Sequence, residues 1–139
     1  MAPRTVSRRA ALAFGLANVA TAALIFVGVF VSLPARWWPV DLPAGALVVL
    51  ELVSGGALLA NARWAGAALR IAAAVALVAG LLAVTVLAMT ASWLSGVYGP
   101  VGKGGALVLS LVAALVLPYV VVLPAVELLW PFAPAPGRE

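Results

Sequence analysis

Few side chains in this sequence can do chemistry, and one of those few stands where it is costly. Histidine and cysteine are both absent. Their absence excludes imidazole bases and haem ligands, thiolate metal sites, cysteine nucleophiles and disulfides. The carboxylates are Asp41, Glu51, Glu127 and Glu139. Glu51 lies inside an apolar run from Ala44 to Ala60. If that run crosses a bilayer, Glu51 sits about 12 Å below the outer boundary, near the midplane. A charged, unpaired acid there costs on the order of 2.5–3.5 kcal/mol. It must therefore be protonated, hydrogen-bonded or open to a wet cavity.

Asn18, in the preceding apolar run, reaches a similar depth from the opposite side, so a hydrogen bond between Glu51 and Asn18 is geometrically reasonable. Ser54 and Thr21 follow at helical spacing as further partners. This set supports three roles: a carrier of protons or cations, a neutral clasp between helices, or a contact to another subunit. Glu127 falls about 35 Å down the last run, beside Trp130, where it should reach water or pair with Arg63 or Arg70. Thr85, Thr90 and Ser92 can bond to backbone carbonyls one turn back. Tyr119 needs a partner for its hydroxyl.

The elements that must position these residues are four apolar stretches, at residues 10–32, 43–60, 70–94 and 104–130. Each is about long enough to cross a hydrocarbon core of roughly 30 Å as a helix. With 66% hydrophobic and only 9% charged residues, little remains to coat a soluble domain. The expectation is an all-α integral membrane protein, a single bundle of four transmembrane helices. Arg4, Arg8, Arg9, Arg63, Arg70 and Arg138 fall on one side of such a chain, and Arg36 and Lys103 on the other. The positive-inside rule then places both termini in the cytoplasm, in a bacterial cytoplasmic membrane. Trp37, Trp38 and Trp93 fall at the outer ends and Trp64 and Trp130 at the inner ends, as interface anchors should. The net charge of +4 follows from this asymmetry and does not call for nucleic acid.

The opening Ser7-Arg8-Arg9-Ala10-Ala11-Leu12 resembles a twin-arginine export signal, but Ala11 replaces the usual aromatic and the apolar run is long. A retained first helix is expected. The joint from Ser32 to Pro43 carries three prolines and reads as a stiff extended or turning loop. Asn61-Ala62-Arg63-Trp64 is short enough to make its flanking helices antiparallel neighbours. Ser95 to Gly104 reads as a flexible turn; its glycines lack the order of a phosphate loop. Pro118 and Pro124 should bend the last helix.

Small residues at spacings of three or four supply close-packing faces: Ala11, Gly15, Asn18 and Ala22; Gly56 and Ala60; Ala72, Ala76 and Gly80; Ala106, Ser110 and Ala114. The lone deep acid offers too few convergent polar groups for an enzyme. No metal or cofactor is expected. The partners expected are lipid and other membrane subunits, or further copies of this chain. The leading expectation is an accessory or scaffold subunit of a larger membrane assembly. The alternative is a homo-oligomeric channel or transporter using Glu51 in a proton- or cation-linked path.

Overall fold

The computed structural model describes residues 4–5, 8–130 and 133–134. Ser7 of the arginine motif, Arg138 and Glu139 lie outside the described residues. Four helices are long and apolar enough to cross a membrane: Arg8–Val31, Trp38–Leu59, Ala65–Val97 and Gly99–Leu129. In local detail these are α1 (Arg8–Ile25) with a π-helical end at Phe26–Val31, α2 (Trp38–Leu59), α3 (Ala65–Val97), and α4 (Gly99–Leu117). A π-helical turn at Pro118–Val122 then leads into α5 (Leu123–Leu129). A two-residue antiparallel pair, Arg4–Thr5 with Ala133–Pro134, joins the two chain ends.

The chain divides into two units. The first holds α1, α2, the start of α3 to Ala73, and the chain from Glu127 onward. Here α1 and α2 form an antiparallel hairpin, with Gly15 against Leu59, Asn18 against Ser54 and Phe30 beside Gly45. Glycine is required at the crossing. A Cβ on Gly55 would lie 2.8 Å from the Gly15 carbonyl oxygen, and one on Gly15 would lie 2.9 Å from Leu59 Cγ. The face of α1 made by Ala11, Gly15, Asn18 and Ala22 is buried. On α2 the buried face is Ala44, Val48, Glu51, Gly55 and Leu58. Gly56 and Ala60, expected to pack, point away: Gly56 has open space around its α-carbon and Ala60 is exposed. They lie about 140–180° round the helix from the face that Glu51 and Leu58 share. The first turns of α3 add Ala65, Leu69, Ala72 and Ala73 to the core.

The joints between α1 and α2 and between α3 and α4 are shorter than their composition suggests. Helix α2 starts at Trp38, because Pro39 in its first turn removes only a donor that would have no intrahelical partner, while Pro43 lies inside the helix and costs one bond. What remains, Ser32–Trp37, is tied down by Arg36. Its guanidinium donates to the Val29 carbonyl at 3.1 Å and to that of Phe30, and lies 5.2 Å over the Phe30 ring. Carbonyls at a helix C-terminus lack intrahelical donors, and Arg36 supplies them. It also sits 3.8 Å from Asp41 in the first turn of α2. At the other joint α3 runs to Val97 and α4 begins at Gly99, so the expected flexible turn is mostly helix. Gly99, at φ +55°, makes the corner, a conformation glycine adopts without penalty.

The turn after α2 is set by Asn61, also at φ 55°. The Ala62 N–H donates to the Ala57 carbonyl and the Asn61 N–H to that of Leu58. This paired pattern is a Schellman motif, with Asn in the left-handed position usually held by Gly.

The second unit is Ala74–Val126. Its sharpest feature is Gly80, whose Cα faces the Val120 carbonyl so closely that any side chain would collide. Pro124 explains that carbonyl: it has no N–H to donate four residues back. The π-helical turn absorbs the fault, with the Leu123 N–H bonding to the Pro118 carbonyl five residues back. Thr85 and Thr90 bond to carbonyls one turn back, as their type and position suggest. The expected face of α4 does not pack: Ala106 is half-buried, and Ser110 and Ala114 are exposed.

Candidate functional site

The buried polar side chains among the described residues are Asn18, Thr21, Glu51, Ser54 and Glu127. All five belong to the first unit. Three elements supply them: α1 gives Asn18 and Thr21, α2 gives Glu51 and Ser54, and α5 gives Glu127. Each pair within a helix is spaced by three residues, which places both members on one face.

Asn18 is the centre. In the amide orientation that satisfies both its ends, Nδ2 donates to Glu127 Oε1 at 2.6 Å and to the Phe14 carbonyl at 3.2 Å. Its Oδ1 accepts from the Ser54 hydroxyl at 2.8 Å. One amide thus joins three helices. The expected hydrogen bond between Asn18 and Glu51 is not made, because Ser54 and Glu127 take the amide.

Glu127 is the residue that sequence reasoning misplaced. It was expected to reach water, yet only 1% of it is exposed. Depth counted along a straight fourth helix puts it at the water boundary. The chain instead brings Trp130 edge-on to Phe14, ring centroids 5.4 Å apart and planes at 80°, and Glu127 is carried inward beside Asn18. The sequence signal that remains is the spacing Pro124–Glu127, three residues apart on one buried face.

Glu51 is likewise buried, 3% exposed, on the same face of α2 as Ser54. Thr21 completes the set. The hairpin is antiparallel and places Asn18 against Ser54. Three residues up α1 is Thr21, and three residues back along α2 is Glu51, so the register sets these two positions at the same level of the hairpin. The Thr21 hydroxyl is buried and has no hydrogen-bond partner.

Trp37, Trp38, Trp64, Trp93 and Trp130 are all exposed. Trp93 packs edge-on to Tyr98, centroids 5.8 Å apart. Among the described residues, no group of three or more His, Cys, Asp or Glu side chains could hold a metal ion. Compared with known protein families, curated proteins and solved structures, the chain has no match.

Proposed function

We propose that this chain is an integral membrane protein that serves as an accessory or scaffold subunit of a larger membrane assembly. The observation that carries this reading is the closure of the polar cluster. Asn18, Ser54 and Glu127 are spent on one another between helices, with Glu51 and Thr21 buried beside them on the same helix faces. A buried polar network of this kind holds helices together where lipid removes the hydrophobic drive between them. The outward surface is apolar, with Leu107, Val108, Leu111 and Leu115 of α4 exposed. Lipid or a partner subunit covers such a surface. Solubilisation of native membranes in mild detergent, followed by sizing, tests the role. Migration with other membrane proteins is expected; a stable, monodisperse homomer would count decisively against it.

The proposed setting is a bacterial cytoplasmic membrane with both termini inside, supported by six arginines against Arg36 and Lys103. The second reading is a homo-oligomeric channel or transporter that uses Glu51. It is favoured by one observation, a second buried carboxyl group, Glu127, in the same unit as Glu51. Proton- or cation-driven flux in liposomes that Glu51→Gln abolishes would support it; flux unchanged in that variant would remove Glu51 from the path.

A further inference from the structure

The cations of the first unit are used differently at the two ends of its hairpin. At one end Arg36 is spent within the protein, on the Val29 and Phe30 carbonyls, the Phe30 ring and Asp41. The other end is built from the start of α1, the turn after α2 and the end of α5. Two contacts tie these three together. Gly15 packs on Leu59 in the last turn of α2, and from that crossing α1 runs back seven residues, about 10 Å, to Arg8. Past Leu59 the chain continues in the same direction into the turn that carries Arg63 and Trp64. Trp130, just beyond α5, packs edge-on against Phe14. Arg8, Arg9, Arg63, Trp64 and Trp130 are all exposed.

Indole rings settle in the headgroup belt of a bilayer, so Trp64 sets the adjoining Arg63 at the level of the lipid phosphates. The planar fork of arginine matches phosphate oxygens two at a time. Attraction to a charged headgroup layer reaches about 8–10 Å in salt, so the three arginines need a common level and not mutual contact. Among the described residues no ion pair engages Arg8, Arg9 or Arg63. No exposed acid stands with them among those residues either, since Glu127 is buried and held by Asn18. We propose that Arg8, Arg9 and Arg63, framed by Trp64 and Trp130, form a surface that selects anionic phospholipid over zwitterionic lipid by its uncompensated headgroup charge.

This surface rests on the chain spanning a membrane, and on neither the accessory role nor transport. The experiment places the full chain in phosphatidylcholine bilayers with traces of spin-labelled phosphatidylglycerol or phosphatidylcholine. The motionally restricted part of each spectrum measures the lipid held at the protein surface. Phosphatidylglycerol should be held several-fold more strongly, and the preference should shrink as NaCl is raised. Each of Arg8→Gln, Arg9→Gln and Arg63→Gln should lower the preference by up to about fivefold. The triple variant should hold both lipids alike, and the corresponding triple lysine variant, which keeps the charge, should retain a preference. Lys103→Gln, at an exposed cation of the second unit, should change nothing. Equal restriction of the two lipids by the parent chain would overturn the proposal. So would a preference that survives in the triple glutamine variant, or one that Lys103→Gln removes to the same extent. Inorganic phosphate that abolishes the preference where chloride of equal ionic strength does not would assign the surface to a soluble anion instead. Alkaline carbonate separates this failure from that of the membrane reading. A chain that carbonate strips from the bilayer sinks both, whereas an embedded chain with no lipid preference sinks this surface alone.

Discussion

Asn18 has more partners to lose than any other side chain in the cluster. Its amide accepts from Ser54 and donates to Glu127 and to the Phe14 carbonyl. Asn18→Leu removes all three bonds at once and leaves two buried polar groups without partners, each costing about 1–3 kcal/mol. Glu51 makes a sharp contrast. If it is a neutral clasp, Glu51→Gln should be nearly silent, since the amide keeps a donor and an acceptor at similar volume. Glu51→Leu should loosen the helices by about 1 kcal/mol. Thermal unfolding of the three variants in detergent should therefore rank Asn18→Leu as the most damaging and Glu51→Gln as the least. An Asn18→Leu chain as stable as the parent would mean that the Asn18 amide does not hold the helices. The reverse change at Glu127, Glu127→Gln, should be tolerated, because the amide oxygen can still accept from Asn18.

At the scale of elements, two backbone positions are set by sterics and give clear outcomes. Gly55 meets the Gly15 carbonyl so closely that Gly55→Val has to push α1 and α2 apart. Overpacking of that kind costs about 1–3 kcal/mol. The neighbouring change Gly56→Val meets open space and should leave stability unchanged in the same assay. Asn61 holds a left-handed conformation at the end of α2. Asn61→Gly should be neutral or mildly stabilising, whereas Asn61→Val should cost about 1–2 kcal/mol.

These positions also mark what was legible in the sequence. The four apolar runs, and the shared face of Asn18, Thr21, Glu51 and Ser54, follow from helical periodicity alone. Gly55 was within reach as well, since Ala44, Val48, Glu51, Gly55 and Leu58 repeat at spacings of three and four. Glu127 was not. Its burial depends on the seating of Trp130 against Phe14, more than a hundred residues away in the chain. The joints before α2 and α4 were misread for a local reason. Proline and glycine weaken helix interiors, but at a helix start they cost little, and α2 and α4 begin on such residues.

At the scale of the whole molecule, the lack of native cysteine makes the proposed orientation directly testable. Single replacements at exposed positions, Arg63→Cys between α2 and α3 and Lys103→Cys near the start of α4, give two reporters. With both termini inside, a membrane-impermeant maleimide added to intact spheroplasts should label Lys103→Cys and spare Arg63→Cys. The opposite pattern would invert the chain. Labelling of both from one side would mean that the stretch between them does not cross.

The helix Ala65–Val97 has 33 residues, so it is about 50 Å long at 1.5 Å per residue. The hydrocarbon layer it would cross is about 30 Å thick. With Arg70 and Trp93 at the two interfaces, the helix keeps about 35 Å within the lipid, a span still longer than the hydrocarbon layer. It must lean, thicken the lipid around it, or end inside protein. Bilayer thickness then becomes a variable that this chain senses. In liposomes of increasing acyl-chain length its melting temperature should rise towards the thicker membranes. In a membrane of uneven thickness, the chain should collect where the lipids are longest.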